Sequence, residues 1–335
     1  MTKKVLVLPG DGIGPEVISS AVSILAQAAG GKIEILYGDI GQSAFIRTSK
    51  HLPAETMGLA AEADAIIAGG VIGTPTDRTY QNPIRVLKKQ LNFYSVVRKF
   101  STLSKRAETR QNIDILLITG NPDTLLNILE TESLDGVNSS KFLSRANCKR
   151  LFQKTGRLSS AMGRKKITCA HRASMFPVLD GMFVEEFYGE LAGTRFLIDD
   201  MEVDEAASEL IKNPSSIDVL ISTDVYGAVF AGGIAGMVGG NYLTPVGSIG
   251  DSSGLFEPMH GPNPRSIKDG VVNPTSAILS AAMALDNMGM SPEAEKIRKA
   301  VRRVYSSGAV TPDVGGKSTT KEFTDSVVSA LKDTG

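Results

Sequence analysis

Short runs of Val, Ile and Leu alternate along this chain with stretches whose apolar residues recur at helical spacing. KVLVLP (4–9) precedes PEVISSAVSILAQAA, KIEILYG (32–38) precedes PAETMGLAAEA, and DAIIAGG (64–70) precedes PIRVLKKQL. FYSVV (93–97), DILLIT (114–119), KKITCAH (165–171), TRFLID (194–199) and DVLIST (218–223) continue the series, with VDEAASELIKN as a further helix among them. Runs of this kind suit strands buried on both faces, and their alternation with helices predicts βαβ units and a mainly parallel sheet, hence an α/β fold. The C-terminal third reads as mostly helical, through PTSAILSAAMALDNM, SPEAEKIRKAVRRVYSS and TTKEFTDSVVSALKD. The polar stretch 99–112 marks a crossing between domains, and there is neither an internal repeat nor a low-complexity linker.

One segment breaks the pattern, because VYGAVFAGGIAGMVGGNYLTPVGSIG (225–250) carries no charge. A membrane span needs about 20 continuous apolar residues. Asn241 and Pro245 interrupt this run, so it predicts a helix buried at an interface. A second feature is the opening VLVLPGDGIGPEV (5–17), a glycine-rich turn between a strand and a helix that Pro15 starts. A dinucleotide fingerprint would read G-x-G-x-x-G, with an acid about 20 residues further on. Here Gly10, Gly12 and Gly14 alternate and Asp39 lies too far along, so the strand-turn-helix reading stands without the fingerprint.

Composition bounds the partners. A chain of 335 residues, 42% hydrophobic, is long enough for two domains, and its 36 basic and 36 acidic residues give no reason to expect a polyanion. Between Gly136 and Leu179 there is no acid, while Lys141, Arg145, Lys149, Arg150, Lys154, Arg157, Arg164, Lys165, Lys166 and Arg172 are cationic. Without interleaved aromatic residues or a reading motif, that run suits a solvated helix face or the field of an anionic substrate, and not a nucleic acid. Cys148 and Cys169 form no C-x-x-C pair, which predicts neither disulfide nor zinc and fits a reducing cytoplasm. MTKKVLVLPG enters a strand directly and shows no secretory leader.

Three segments resemble the β-decarboxylating dehydrogenases, the isocitrate, isopropylmalate and homoisocitrate dehydrogenase family. They are PGDGIGPEV with GGVIGTP (69–75), GLFEPMHGPNPRSIKDGVVNPTSAILSAAMAL (254–285), and GAVTPDVGGKSTTKEFTDSV (308–327). The resemblance implies two α/β domains about a central cleft. Residues 1–99 and 240–335 would form a discontinuous cofactor-binding domain, and 100–239 a second domain with the dimer interface. It implies a homodimer, or a hetero-oligomer with an active paralogue, a small anionic hydroxy acid as substrate, and NAD or NADP as cofactor. On the cofactor side it selects Ile13, Gly70, Thr74, His260, Gly261, Arg265, Ser266 and Asn273. Arg265 stands where the family has a diol-binding aspartate or a phosphate-binding lysine, and a forked permanent cation suits the 2′-phosphate of NADP.

The same resemblance locates the chemistry and its departures. Arg98 falls on a carboxylate-binding arginine, Lys88 where a second would be, and Arg85 one helical turn away. Where the family has R-E-N-T-E-G-x-Y this chain reads TGNPDTLL, placing Thr119 at the arginine and Leu126 at the tyrosine that protonates the product carbon. The family's proton-relaying lysine is Arg172, which attracts an anion but cannot release a proton in the working range, and a following asparagine is Ser174. Asp204 matches a metal-binding aspartate lent across the dimer, whereas the two metal aspartates at i and i+4 on one helix are Ala228 and Gly232. Asp224 precedes them by a turn, as a displaced ligand or as a helix cap. Magnesium or manganese would therefore be poorly held. Two readings of function follow: an NAD(P)-dependent oxidoreductase of a 2-hydroxy acid with altered acid, base and metal groups, or a catalytically silent regulatory or partner subunit.

Overall fold

Every apolar run named above becomes a strand or the buried stripe of a helix. The computed structural model describes residues 2–73, 80–103, 112–121, 126–262 and 270–333. In chain order these give β1 (Lys3–Leu8), α1 (Gly14–Ala29), β2 (Ile33–Tyr37), α2 (Gln42–Thr48), α3 (Ala54–Glu62), β3 (Ala65–Ala68), α4 (Pro83–Gln90), β4 (Ser95–Ser101) and β5 (Asp114–Gly120). Then come β6 (Leu126–Ser133), β7 (Gly136–Leu143), α5 (Arg145–Ala161), β8 (Lys166–His171), α6 (Leu179–Leu191), β9 (Leu197–Glu202), α7 (Val203–Lys212), β10 (Val219–Ser222) and α8 (Asp224–Val238). The chain closes with β11 (Pro245–Ile249), β12 (Gly254–Pro258), α9 (Thr275–Asn287), α10 (Ser291–Ser307) and α11 (Thr320–Lys332).

Ten strands form one sheet in the order β2-β1-β3-β12-β11-β4-β5-β10-β8-β9. It is not parallel throughout. β2, β1, β3 and β12 run together, as do β5, β10, β8 and β9, but β11 and β4 join the two blocks by antiparallel pairing. The C-terminal ends of the blocks therefore point in opposite directions. β4 pairs with β5 along its whole length, so the polar stretch 99–112 joins neighbouring strands at the centre of the sheet. The expected helical C-terminal third also contains the β11–β12 hairpin, whose strands lie within the sheet, buried beneath α9.

Two elements remain without cover. β6 and β7 form a separate two-stranded hairpin that exposes Leu129, Val137 and Phe142, and such a pair is marginal by itself. Helix α8, without charge after its first residue Asp224, buries Phe230, Ala231, Ile234, Ala235 and Val238, yet exposes Val225, Ala228, Val229, Gly232 and Gly236. The expected burial of α8 holds for one face only. No helix among the described residues is long and apolar enough to cross a membrane. The basic run is compensated from elsewhere in the chain: Arg145 meets Glu185, Arg150 meets Asp251, Arg164 meets Asp114 and Asp218, and Lys166 meets Asp199.

The glycine-rich opening loop is held by one buried carboxylate. Asp11 accepts hydrogen bonds from the backbone N–H groups of Gln42 (2.9 Å), Ser43 (3.2 Å) and Ile72 (2.9 Å), and its own N–H donates to the Gly70 carbonyl (2.8 Å). The first two donors open α2, whose own cap position is Gly41, so Asp11 caps that helix from a distant loop. The packing explains two glycines. Gly10 has φ +77°, and a Cβ there would lie 2.4 Å from the Gly70 carbonyl oxygen; one on Gly69 would lie 2.1 Å from that of Pro9. Removing the carboxylate leaves three backbone donors unpaired. Asp11→Ala should therefore cost about 3 kcal/mol, read in thermal unfolding, and an unchanged midpoint would contradict this role.

Candidate substrate and cofactor cleft

The loops after β1, β3 and β12 converge, because the Ile13 N–H donates to the Pro262 carbonyl at 2.7 Å and Gly70 packs against Pro262. Of the residues proposed for the cofactor, Ile13, Gly70, His260 and Gly261 are brought together here. Thr74, Arg265 and Ser266 lie outside the described residues. Asn273 is engaged internally: its Nδ2 donates to the Tyr305 hydroxyl and to Asp313, and its Oδ1 accepts from the Thr275 N–H. It thus starts α9, whatever else it touches.

His260 is 7% exposed and stacks on Tyr242, with ring centroids 4.4 Å apart and planes inclined by 20°. Its Nδ1 donates to the Gly261 carbonyl at 3.1 Å, the tautomer that this carbonyl requires. Burial lowers its pKa, so the neutral ring presents Nε2 as an acceptor. That Nε2 and the Tyr242 hydroxyl are both buried without a hydrogen-bond partner among the described residues. An acceptor and a donor left open beside a glycine turn fit the heteroaromatic end of a nucleotide. Sequence reading missed Tyr242, whose signal was an aromatic residue within the chargeless run.

The three basic residues proposed for the substrate have unequal prospects. Lys88 forms a short, largely buried ion pair with Glu257, so its charge is already balanced within the fold. Arg85 lies on the exposed face of α4. Arg98, in the middle of the sheet, is held by β4: its Nη1 reaches Thr119 Oγ1 at 3.5 Å while its buried Nε has no partner among the described residues. Burial lowers its pKa, opposed by Asp224 and Glu257, without discharging a guanidinium. Thr119 is fully buried, and a Cβ on Gly227 of α8 would lie 2.1 Å from its Cγ2.

Arg172 and Asp204, proposed for catalysis, meet in the same chain. Arg172 Nη1 lies 2.5 Å from Asp204 Oδ1 and 3.4 Å from Glu202 Oε2, while its N–H donates to the buried Asp180. Ser174 binds Glu202 through both its N–H and its hydroxyl. Arg172 therefore occupies the carboxylate that the resemblance assigns to a metal. Asp224, the other candidate ligand, is the first residue of α8, followed on its exposed face by Ala228 and Gly232. Among the described residues no three His, Cys, Asp or Glu side chains are placed to hold a metal ion. The described residues therefore do not assemble a donor set that fits a divalent cation. Leu126 begins β6, and Tyr226 of α8 lies within electrostatic reach of Arg172, with its pKa raised by burial and by Asp180.

A histidine beside an aspartate suggests a general base, but this one is closed. His171 Nδ1 accepts the Ala173 N–H at 3.0 Å, and Nε2 lies 2.9 Å from Asp200, so neither nitrogen is left for a substrate. Asp200 in turn accepts from the Tyr188 hydroxyl, whose pKa is pushed up to about 12 mainly by that hydrogen bond. His51 is structural as well, stacked on Phe45 and within 3.3 Å of the Gly41 carbonyl.

A sequence model of isocitrate/isopropylmalate dehydrogenase matches residues 4–327. Isocitrate/homoisocitrate dehydrogenase of Thermus thermophilus is 34% identical over 99% of both chains, and homoisocitrate dehydrogenase of Methanocaldococcus jannaschii is 32% identical over 98% of both. Among solved structures, isocitrate dehydrogenase from Methylococcus capsulatus superposes with a TM-score of 0.89 at 26% identity, covering 99% of this chain and 100% of that one.

If three missing carboxylate and lysine groups suffice to build a metal site, Arg172→Lys combined with Ala228→Asp and Gly232→Asp should bind Mn²⁺ in calorimetry where the unmodified chain gives no heat. Gly232 has open space for a Cβ, so the helix tolerates the change. Equal Mn²⁺ binding by the unmodified chain would contradict the reading of the Arg172 and Asp204 pair.

Proposed function

Since this chain belongs to the isocitrate/isopropylmalate dehydrogenase family, NAD(P)-dependent decarboxylating dehydrogenases of hydroxy acids, we propose that it keeps the family's ligand cleft without its metal-dependent decarboxylation, as a regulatory or partner subunit. The observation that carries this reading is the Arg172 guanidinium held on Asp204 and Glu202. A permanent cation there replaces both the metal that the aspartate would bind and the group that would relay a proton. General acids and bases each contribute about 10²–10⁴-fold and metal activation several kcal/mol, so losing them together removes most of the rate.

On this reading Arg98 receives a carboxylate of a small hydroxy acid, with its unpaired Nε as the open donor. Ile13, Gly70, His260 and Gly261 hold the adenosine end of the dinucleotide, and Arg265 favours NADP over NAD. When bound, the dinucleotide supplies a nicotinamide that accepts hydride. The exposed apolar face of α8 and the isolated β6–β7 hairpin support a dimer, with itself or with an active paralogue. Buried, unpaired Cys148 and Cys169 support a reducing cytoplasm. The proposed domain boundaries, 1–99 with 240–335 against 100–239, place the dinucleotide on the first unit.

One observation favours the second reading, an oxidoreductase with rebuilt chemistry. Tyr226 lies beside Arg172, Glu202 and Asp180 and would stand in for the tyrosine lost at Leu126. Binding assays address the primary reading directly. At a hundredfold excess over Kd, a ligand stabilises by about 2.7 kcal/mol. NADP and isocitrate, isopropylmalate or homoisocitrate should each raise the melting temperature by about 3 °C or more, and Arg98→Met should abolish the hydroxy-acid shift while leaving that of NADP. Absence of any shift with either dinucleotide would contradict the proposal.

A further inference from the structure

Neighbouring side chains of β4 alternate across the sheet. Arg98 faces Thr119 and α8, whereas Val97 and Lys99 face the opposite side, where they line a cavity of about 320 Å³. One side of it is apolar, from Leu158 and Met162 at the end of α5, Ile249 of β11 and Met283 of α9, and the other is polar, from Asp286, Asn287, Ser291, Glu295 and Arg298. At the α9–α10 corner the acids are already engaged: Arg298 pairs with Asp286 and Glu295, and Arg302 also holds Glu295. Lys99 has no hydrogen bond or ion pair among the described residues. Burial lowers its pKa, and Arg298, Arg164 and Arg302 act in the same direction against Asp114 alone.

A half-buried cation in a cationic field, set beside an apolar wall, lacks two things: an anion for the ammonium and carbon for that wall. The volume lies at the lower end of the range for small-molecule sites. We propose that this cavity is a second binding site, for a small monocarboxylate with a short apolar body. Inorganic phosphate offers the charge without the body, and an alcohol the body without the charge. The cavity is walled by α5 on one side and by α9 and α10 on the other, and the next residue along β4 is Arg98. A carboxylate drawing on Lys99 therefore pulls on the strand that presents Arg98, which gives the site the placement of an effector site. Binding there is independent of whether the cleft turns over substrate.

Calorimetry on the purified full chain with hexanoate, 1-hexanol and inorganic phosphate as probes tests the assignment. Hexanoate should bind, and about tenfold or more weaker to Lys99→Met, because a charge-assisted hydrogen bond is lost. Met replaces the cation with an apolar side chain of similar length, so folding should be retained. Ala161→Phe, a surface change that fills the cavity, should weaken hexanoate comparably while leaving Lys99 in place. No heat with hexanoate, equal affinity for Lys99→Met, or equal binding of 1-hexanol or phosphate would overturn the proposal.

Discussion

The cleft of this protein depends on a single buried carboxylate. Asp11 gathers donors from the start of α2 and from the loop after β3, while the turn that contains it is clasped to Gly70 and Pro262. Its partners are backbone N–H groups, which any residue except proline supplies, so the arrangement constrains loop shape and leaves side chains elsewhere free to change. Within this loop glycine is required where backbones touch, as at Gly10 and Gly69, where a Cβ would clash with a facing carbonyl. A scaffold fixed in this way can survive the exchange of every group that performs chemistry within it.

The exchanges proposed for this chain are electrostatically consistent with one another. An aspartate designed to meet a divalent cation becomes an uncompensated charge once the other ligands are gone, and Arg172 supplies the missing positive charge to Asp204 and Glu202. The α8 face that would have presented two more carboxylates is apolar instead, with Ala228 and Gly232 exposed. Lys88 is likewise balanced by Glu257. Among the described residues, the groups left open include Arg98 Nε, His260 Nε2 and the hydroxyl of Tyr242. On the proposed reading these open groups serve binding, while the family's acid–base and metal positions are replaced or paired.

Most of the architecture was legible in the sequence because buried strands and amphipathic helices write their period into it: β1, β3, β5, β8 and β10, with α1, α9, α10 and α11, fall on the predicted runs. The β11–β12 hairpin escaped because PVGSI and GLFEP are short and broken by Gly and Pro, within a stretch dominated by helices. β6 and β7 escaped because β7 is exposed along nearly its whole length, so burial leaves no period in its sequence. In the cleft, sequence supplied the positions but not the pairings. Arg172 and Asp204 are 32 residues apart and Lys88 and Glu257 are 169 apart, and only folding shows that each charge is already met. Asp11 gave no signal at all, since its partners are main-chain atoms.

The central claim, a cleft kept for binding and emptied of decarboxylating chemistry, is tested most directly by turnover. Nicotinamide reduction would be followed by absorbance with the purified full chain, NAD or NADP, Mg²⁺ or Mn²⁺, and isocitrate, isopropylmalate or homoisocitrate. The account predicts no metal-dependent reduction above the rate without protein. Sustained, metal-dependent reduction with loss of carbon dioxide would contradict it and establish that the acid, base and metal groups have been rebuilt elsewhere in the cleft.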